Sequence, residues 1–121
     1  MFNPSMPPAP DTRTRLLDTA ARLFHEQGFT ATGVSTLLRE AGVNSGSLYH
    51  HFSSKEALLL AVLERYLELL RPELTDPVEE ATADPVERVF ALMAGYREML
   101  RVTSCRMGCP IGNLALELAD D

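Results

Sequence analysis

Between Gly42 and Glu56 the chain reads GVNSGSLYHHFSSKE, where hydroxyl, imidazole and aromatic side chains crowd around few large apolar ones. These residue types suit recognition better than bond-making. Ser45 and Ser47 are short donors near the start of a helix, where free N–H groups favour an anion. Gly46 removes a side chain, so that a phosphate can come close to the backbone. Tyr49 offers a hydroxyl to phosphate or a ring to a thymine methyl, and His50 and His51 add ring N–H donors. Lys55 brings a charge suited to phosphate. At about 100° per residue, Leu48 and Phe52 share one side of a short helix over residues 45–52, and His50 lies almost opposite. A Ser-Gly-Ser run is often only a cap, and adjacent histidines are often only solvated. Grouped on one face of a short helix after a glycine turn, these residues instead point to a face pushed into a DNA groove.

The flanking sequence predicts the elements that must position this face. A first helix over residues 12–27 carries Leu16, Leu17, Ala20, Leu23 and Phe24 at helical spacing, with Asp11 or Thr12 as its cap and Gly28 as its stop. A second, over 33–41, has Thr32 as a cap and ends at Gly42. Together with the third helix it has the helix-turn-helix arrangement, in which the second helix of the pair enters the major groove. Thr32 and Ser35 are then placed to contact the DNA backbone.

A capping box, Ser53 with Glu56, opens a fourth helix that is apolar over most of its circumference to Leu70. Pro72 is expected to end it, with an acidic linker over 72–83. Asp84, Pro85 and Glu87 start a fifth helix, on which Val86, Val89, Phe90, Met93, Tyr96 and Leu100 form a core-facing stripe. A break at 105–110 precedes a sixth helix near Ile111. No strand pattern of convincing length occurs, so the expected fold is all-α. The later helices carry more apolar surface than the remainder can cover, which predicts a shortened form of a longer protein.

The net charge of −6 argues at first against a polyanionic partner. From Asp11 to Lys55, however, five basic residues face four acidic ones, whereas from Glu56 onward six face thirteen. DNA contact depends on the local field of a patch, so the acidic second half is no bar. No apolar run approaches the roughly 18 residues of a membrane span. Residues 1–10 hold four prolines and lack the pattern of a signal peptide, which predicts a poorly ordered arm and a cytoplasmic protein. Two cysteines make no disulfide framework or four-ligand zinc site, and no cofactor is expected.

From Thr12 to Tyr66 the chain closely resembles, without a gap, the N-terminal domain of the tetracycline-repressor (TetR) family of bacterial transcriptional regulators. The likeness is most specific at Phe24…Gly28-Phe29, Ala41-Gly42-Val43, Gly46 to Phe52 and Ser54-Lys55-Glu56. It implies a homodimeric repressor whose two heads bind adjacent major grooves of a palindromic double-stranded DNA operator. The family's usual contacts fall here on Thr32, Ser35, Ser45, Gly46, Ser47, Tyr49, His50, His51 and Lys55. Gly33 departs from the Ser or Thr often found there. The resemblance divides the chain into an arm (1–10), a helix-turn-helix domain (11–53) and the start of an incomplete helical regulatory domain (54–121).

The family's second half binds a small-molecule inducer, here of unknown identity. Phe90, Met93 and Tyr96 are candidates to line its cavity, or are plain core. Residues 108–120 resemble a Gly-Cys-x-x-x-x-Leu-x-x-Glu-x-x-Asp segment of one branch, some of whose members sense electrophiles or oxidants. By that likeness Cys109 is a candidate sensor and Cys105 its partner. A helix N-terminus and nearby Arg106 favour the thiolate, though a cysteine before a proline is as often a small buried hydrophobe. The expectation is a DNA-binding regulator and not an enzyme. The alternatives are a helical protein-interaction module and a cysteine hydrolase built on Cys109, which has no orienting histidine nearby in sequence.

Overall fold

The computed structural model describes residues 10–120, which are all-α with no strand among them. The helices are α1 (Thr12–Gln27), α2 (Val34–Ala41), α3 (Ser45–His51), α4 (Lys55–Leu70), α5 (Asp76–Ala81), α6 (Pro85–Val102) and α7 (Pro110–Glu117), with a π-helical turn at Arg71–Thr75. The expected N-terminal arm lies outside the described residues except for Pro10.

Short-range signals set most helix ends. Asp11 accepts the Thr14 N–H at 2.7 Å, and that hydrogen bond holds its carboxyl below the usual carboxylate range. Because the folded pKa is depressed, this cap contributes above the unfolded value and is lost as pH falls through the folded one. Gly28, at φ +93°, stops α1. Gly42 is left-handed at φ 68°, and Val43 N–H returns to the Leu38 carbonyl at 3.0 Å, closing α2. Asn44 caps α3 through Ser47 N–H (2.8 Å), and Asp84 caps α6 through Val86 N–H (2.9 Å). At α4 the cap is Ser54, which accepts Ala57 N–H at 3.0 Å, and not the expected Ser53. The box with Glu56 therefore does not form, because Ala57 occupies the third helical position.

One core joins α1 to α4 and also α7. Leu16, Ala20 and Phe24 of α1 meet Leu37 of α2, Leu48 of α3, and Leu58 and Val62 of α4, all at most 2% exposed. Phe29 folds back so that its ring meets Phe24 edge-on at 5.3 Å. The Tyr66 hydroxyl donates to the Ala21 carbonyl at 3.0 Å, and burial raises its pKa, so it keeps the proton this bond needs. Leu114 of α7 is buried in the same cluster.

The second half departs from expectation in two ways. Pro72 does not end the helical path. The chain widens into the π turn, whose Arg71 carbonyl is reached by Asp76 N–H, and runs on into α5. A wider turn relieves the clash of a proline ring with the preceding turn, and Pro77 sits in the first turn of α5, where no N–H is required. The expected acidic linker thus shrinks to Thr82–Asp84. The α6 stripe also divides: Val86, Val89, Phe90 and Met93 face outward, each more than half exposed, whereas Tyr96 and Leu100, 37% and 41% exposed, border a cavity. Leu74 of the π turn lies against Gly95, where a Cβ would collide with it, so α6 presents its small-residue side inward.

Burial of Leu114 in the head carries a direct consequence. Leu114→Ala is expected to lower unfolding free energy by about 2–5 kcal/mol. Denaturant titration followed by circular dichroism measures it, and a change below about 1 kcal/mol would show that α7 is not part of this core.

Candidate nucleic-acid interface

The third helix is held by its underside. Leu48 is 1% and Phe52 5% exposed, and both enter the core. Ser45, Gly46, Tyr49 and His50 are exposed, while Ser47 and His51 are half-buried on the flanks. Tyr49 projects with 53% of its surface free, and the His50 and His51 rings meet edge-on at 4.9 Å. Ser35, in the first turn of α2, is also exposed. Its helix starts at Gly33 with no side-chain cap, as the missing hydroxyl at that position requires.

Two expected contact residues sit elsewhere. Thr32 is fully buried, with its hydroxyl donating to the Gly28 carbonyl at 2.6 Å and accepting from Gln27 Nε2 at 3.2 Å. It closes the turn between α1 and α2 and offers no side-chain atom to DNA in this structure. It is not the α2 cap either, since that position falls to Gly33. Lys55 directs its ammonium to the Phe29 carbonyl at 2.6 Å and over the Phe29 ring at 4.1 Å. The expected phosphate charge is therefore anchored on the α1–α2 turn.

A cation unforeseen in the sequence lies at the C-terminal end of α3. The Arg13 guanidinium stacks 5.2 Å above the Phe52 ring, beside the helix end. Arg22 bridges Glu26 and Glu40 at 3.4 and 3.3 Å, and Arg65 pairs with Asp18. Among the described residues Arg13, Arg15 and Arg39 form no ion pair, so they are the cations of the head available to a phosphate. Only the position of Arg13 at the start of α1 hinted at this. Its stacking needs the fold.

A second feature lies beside the last turn of α1. A cavity of about 400 Å³ is lined by His25, Tyr66, Tyr96, Met99, Leu100 and Cys109 among others. Of the residues expected to sense a ligand, Tyr96 and Cys109 line it, whereas Phe90, Met93 and Cys105 do not. Phe90 and Met93 belong to the outward face of α6, and Cys105 is exposed in a turn where it and Ser104 have positive φ. His25 was not singled out in the sequence as a cavity residue. Its Nε2–H donates to the Gly108 carbonyl at 2.8 Å, while Cys109 Sγ accepts Gly112 N–H at 3.4 Å as the cap of α7. Imidazole and thiol thus each engage backbone, and the hydrolase arrangement is not formed between them.

A short helix anchored by its apolar underside, following a glycine turn and a second short helix, defines a helix-turn-helix protein. Residues 16–62 match the family described as bacterial regulatory proteins, tetR family. The chain carries the N-terminal helix-turn-helix domain of that family. It is 35% identical over 108 residues to the HTH-type transcriptional regulator LmrA of Bacillus subtilis, covering 88% of this chain and 57% of that one. To the HTH-type transcriptional repressor NemR of Escherichia coli it is 37% identical over 109 residues, covering 90% and 53%. The crystal structure of a TetR-family transcriptional regulator from Streptomyces coelicolor superposes with a TM-score of 0.77 at 31% identity, covering 90% of this chain and 57% of that one. The chain thus spans little more than half the length of these relatives. Among the described residues no helix is long and apolar enough to cross a membrane.

The two roles of Lys55 separate experimentally. Lys55→Met is expected to destabilise the head by about 1–3 kcal/mol, because it leaves the Phe29 carbonyl without its charged donor. The slope of log Kobs for DNA against log salt should stay unchanged. A slope smaller by about 1, with stability intact, would return Lys55 to phosphate binding.

Proposed function

We propose that this chain is the DNA-reading part of a transcriptional repressor that binds a palindromic double-stranded operator as a homodimer in the cytoplasm. The observation that carries the proposal is the exposed face of Ser45, Gly46, Tyr49 and His50 on a helix whose opposite side is buried. Ser35, Ser47 and His51 flank that face, and Arg13 supplies charge at its end. In this reading Tyr49 and His50 touch bases or phosphate, the serines and Gly46 approach the backbone, and Thr32 and Lys55 shape the turn behind them. The relatives named as repressors support the same assignment.

Release from the operator is assigned to the cavity beside α1. Its walls are mostly apolar, with polar side-chain atoms on His25, Tyr66, Glu73, Tyr96 and Thr103, which suits a small, largely apolar inducer with a few hydrogen-bonding groups. Cys109 borders the cavity as the cap of α7, so a thiol-reactive inducer would act at the same place. A relative solved in what is described as its reduced form, NemR, supports asking the question of this cysteine. Ligand and operator would then oppose each other through linkage.

Fluorescence anisotropy with the duplex upstream of the chain's own gene tests the assignment. Affinity should fall about 10³-fold or more between 50 and 200 mM salt if six or more phosphates are contacted. Tyr49→Ala should weaken binding at least about tenfold, one contact of about 1.4 kcal/mol, with helical content unchanged. Absence of binding at low salt would overturn the repressor reading. For the thiol, Cys109→Ser should bind the operator normally and no longer respond to oxidants. A response equal to that of the unmodified chain would remove Cys109 as the sensor.

A further inference from the structure

The segment from Gly108 to Glu117 reaches the head by more than the buried Leu114. The Glu117 carboxylate accepts the Phe29 N–H at 3.0 and 3.1 Å to its two oxygens and the Thr30 N–H at 3.1 Å, with the Thr30 hydroxyl at 3.4 Å. These amides lie just beyond the end of α1, where no helical carbonyl serves them. Gly28 leaves the room: its φ of +93° disfavours any side chain, and a Cβ there would collide with the Glu117 carboxylate.

On the same peptide, the Phe29 carbonyl accepts from Lys55 Nζ at 2.6 Å. The Phe29–Thr30 peptide is therefore held at its N–H by α7 and at its C=O by the first residue of α4. Lys55 follows Phe52, the residue that ends α3, by three positions. Hydrogen bonds at the two ends of one peptide polarise each other, so each strengthens the other.

We propose that Glu117 is a positioning residue that couples α7 to the DNA-reading head, by clamping with Lys55 the two sides of the Phe29–Thr30 peptide. The eight residues of α7 form a lever of roughly 10 Å, with the Cys109 cap and the cavity at one end and the Glu117 carboxylate at the other. Hydrogen bonds weaken steeply with distance and angle, so a displacement of about 1 Å at the cavity end would release the turn. His25, bonded to the Gly108 carbonyl, ties the cavity end of the same segment to α1. For its consequence at DNA the inference rests on the repressor reading, whereas the clamp itself does not.

Amide hydrogen exchange of the full chain, followed by NMR, reads the clamp directly. Glu117→Ala is expected to speed exchange of Phe29 and Thr30 at least about tenfold, the loss of about 1.4 kcal/mol of local protection. Glu117→Gln keeps a neutral acceptor oxygen that at the Oε2 position serves both amides, so it should speed both by less than Glu117→Ala does, a partial rescue that a loss of packing would not give. Lys55→Met and Glu117→Ala together should change Thr30 exchange by less than the product of the single effects, since both hold one peptide. Exchange of both amides within twofold of the parent in Glu117→Ala would overturn the proposal, as would a strictly multiplicative double variant. Should Glu117→Ala lose its helices, Glu117→Gln decides, and unchanged exchange of both amides in it is the contrary result. Operator affinity of the same variants is read separately, with a fall of at least fivefold expected in Glu117→Gln. No operator binding by the parent would refute the repressor reading while leaving the amide result to judge the clamp.

Discussion

A helix of seven residues does not hold itself in water, so α3 exists only because its underside is buried. Leu48 and Phe52 supply that underside, and everything around them serves to keep the pocket for them. The first helix lays Leu16, Ala20 and Phe24 beneath it, and α4 closes the far side with Leu58 and Val62. With orientation set from below, the upper face needs no apolar residue. Serine, glycine, tyrosine and histidine can occupy it because packing makes no demand there.

The turn between α1 and α2 is the second place where many requirements meet. Within five residues it must reverse the chain, stack Phe29 on Phe24, and satisfy backbone groups that no helix serves. Thr32 takes the Gly28 carbonyl, Lys55 the Phe29 carbonyl, and Glu117 the Phe29 and Thr30 N–H groups. Thr32 from within the turn, Lys55 from α4 and Glu117 from α7 thus complete it together. This explains why the Lys55 ammonium lies on the Phe29 carbonyl and why Thr32 is fully buried. The surface ion pairs of Arg22 and Arg65 are exposed and contribute little beside it.

Local signals made much of this legible in the sequence. The stops at Gly28 and Gly42, the starts at Asp11 and Asp84, and the two-sided character of α3 depend on residues within one turn of each other. What was missed depends on residues far apart in the chain. Thr32 looks like a cap until Gly28 and Gln27 are seen to use its hydroxyl, and Lys55 looks free until Phe29, 26 residues away, folds beneath it. Glu117 reaches Phe29 across 88 residues, and no periodicity announces such a pairing. Pro72 looks like a stop because its missing N–H is a local fact, whereas the π turn that accommodates it brings Leu74 against Gly95, 21 positions on. The outward stripe of α6 shows that helical spacing fixes which residues share a face, but not what covers it.

In the proposed function α3 recognises DNA and the cavity beside α1 controls its release. Amide chemical-shift mapping of the labelled chain during titration with an operator duplex tests that placement most directly. The largest shifts are expected on Ser45 to His51, with Ser35 and Arg13 at the margin and α6 unmoved. Shifts concentrated on the exposed stripe of α6, with the amides of α3 unchanged, would contradict it.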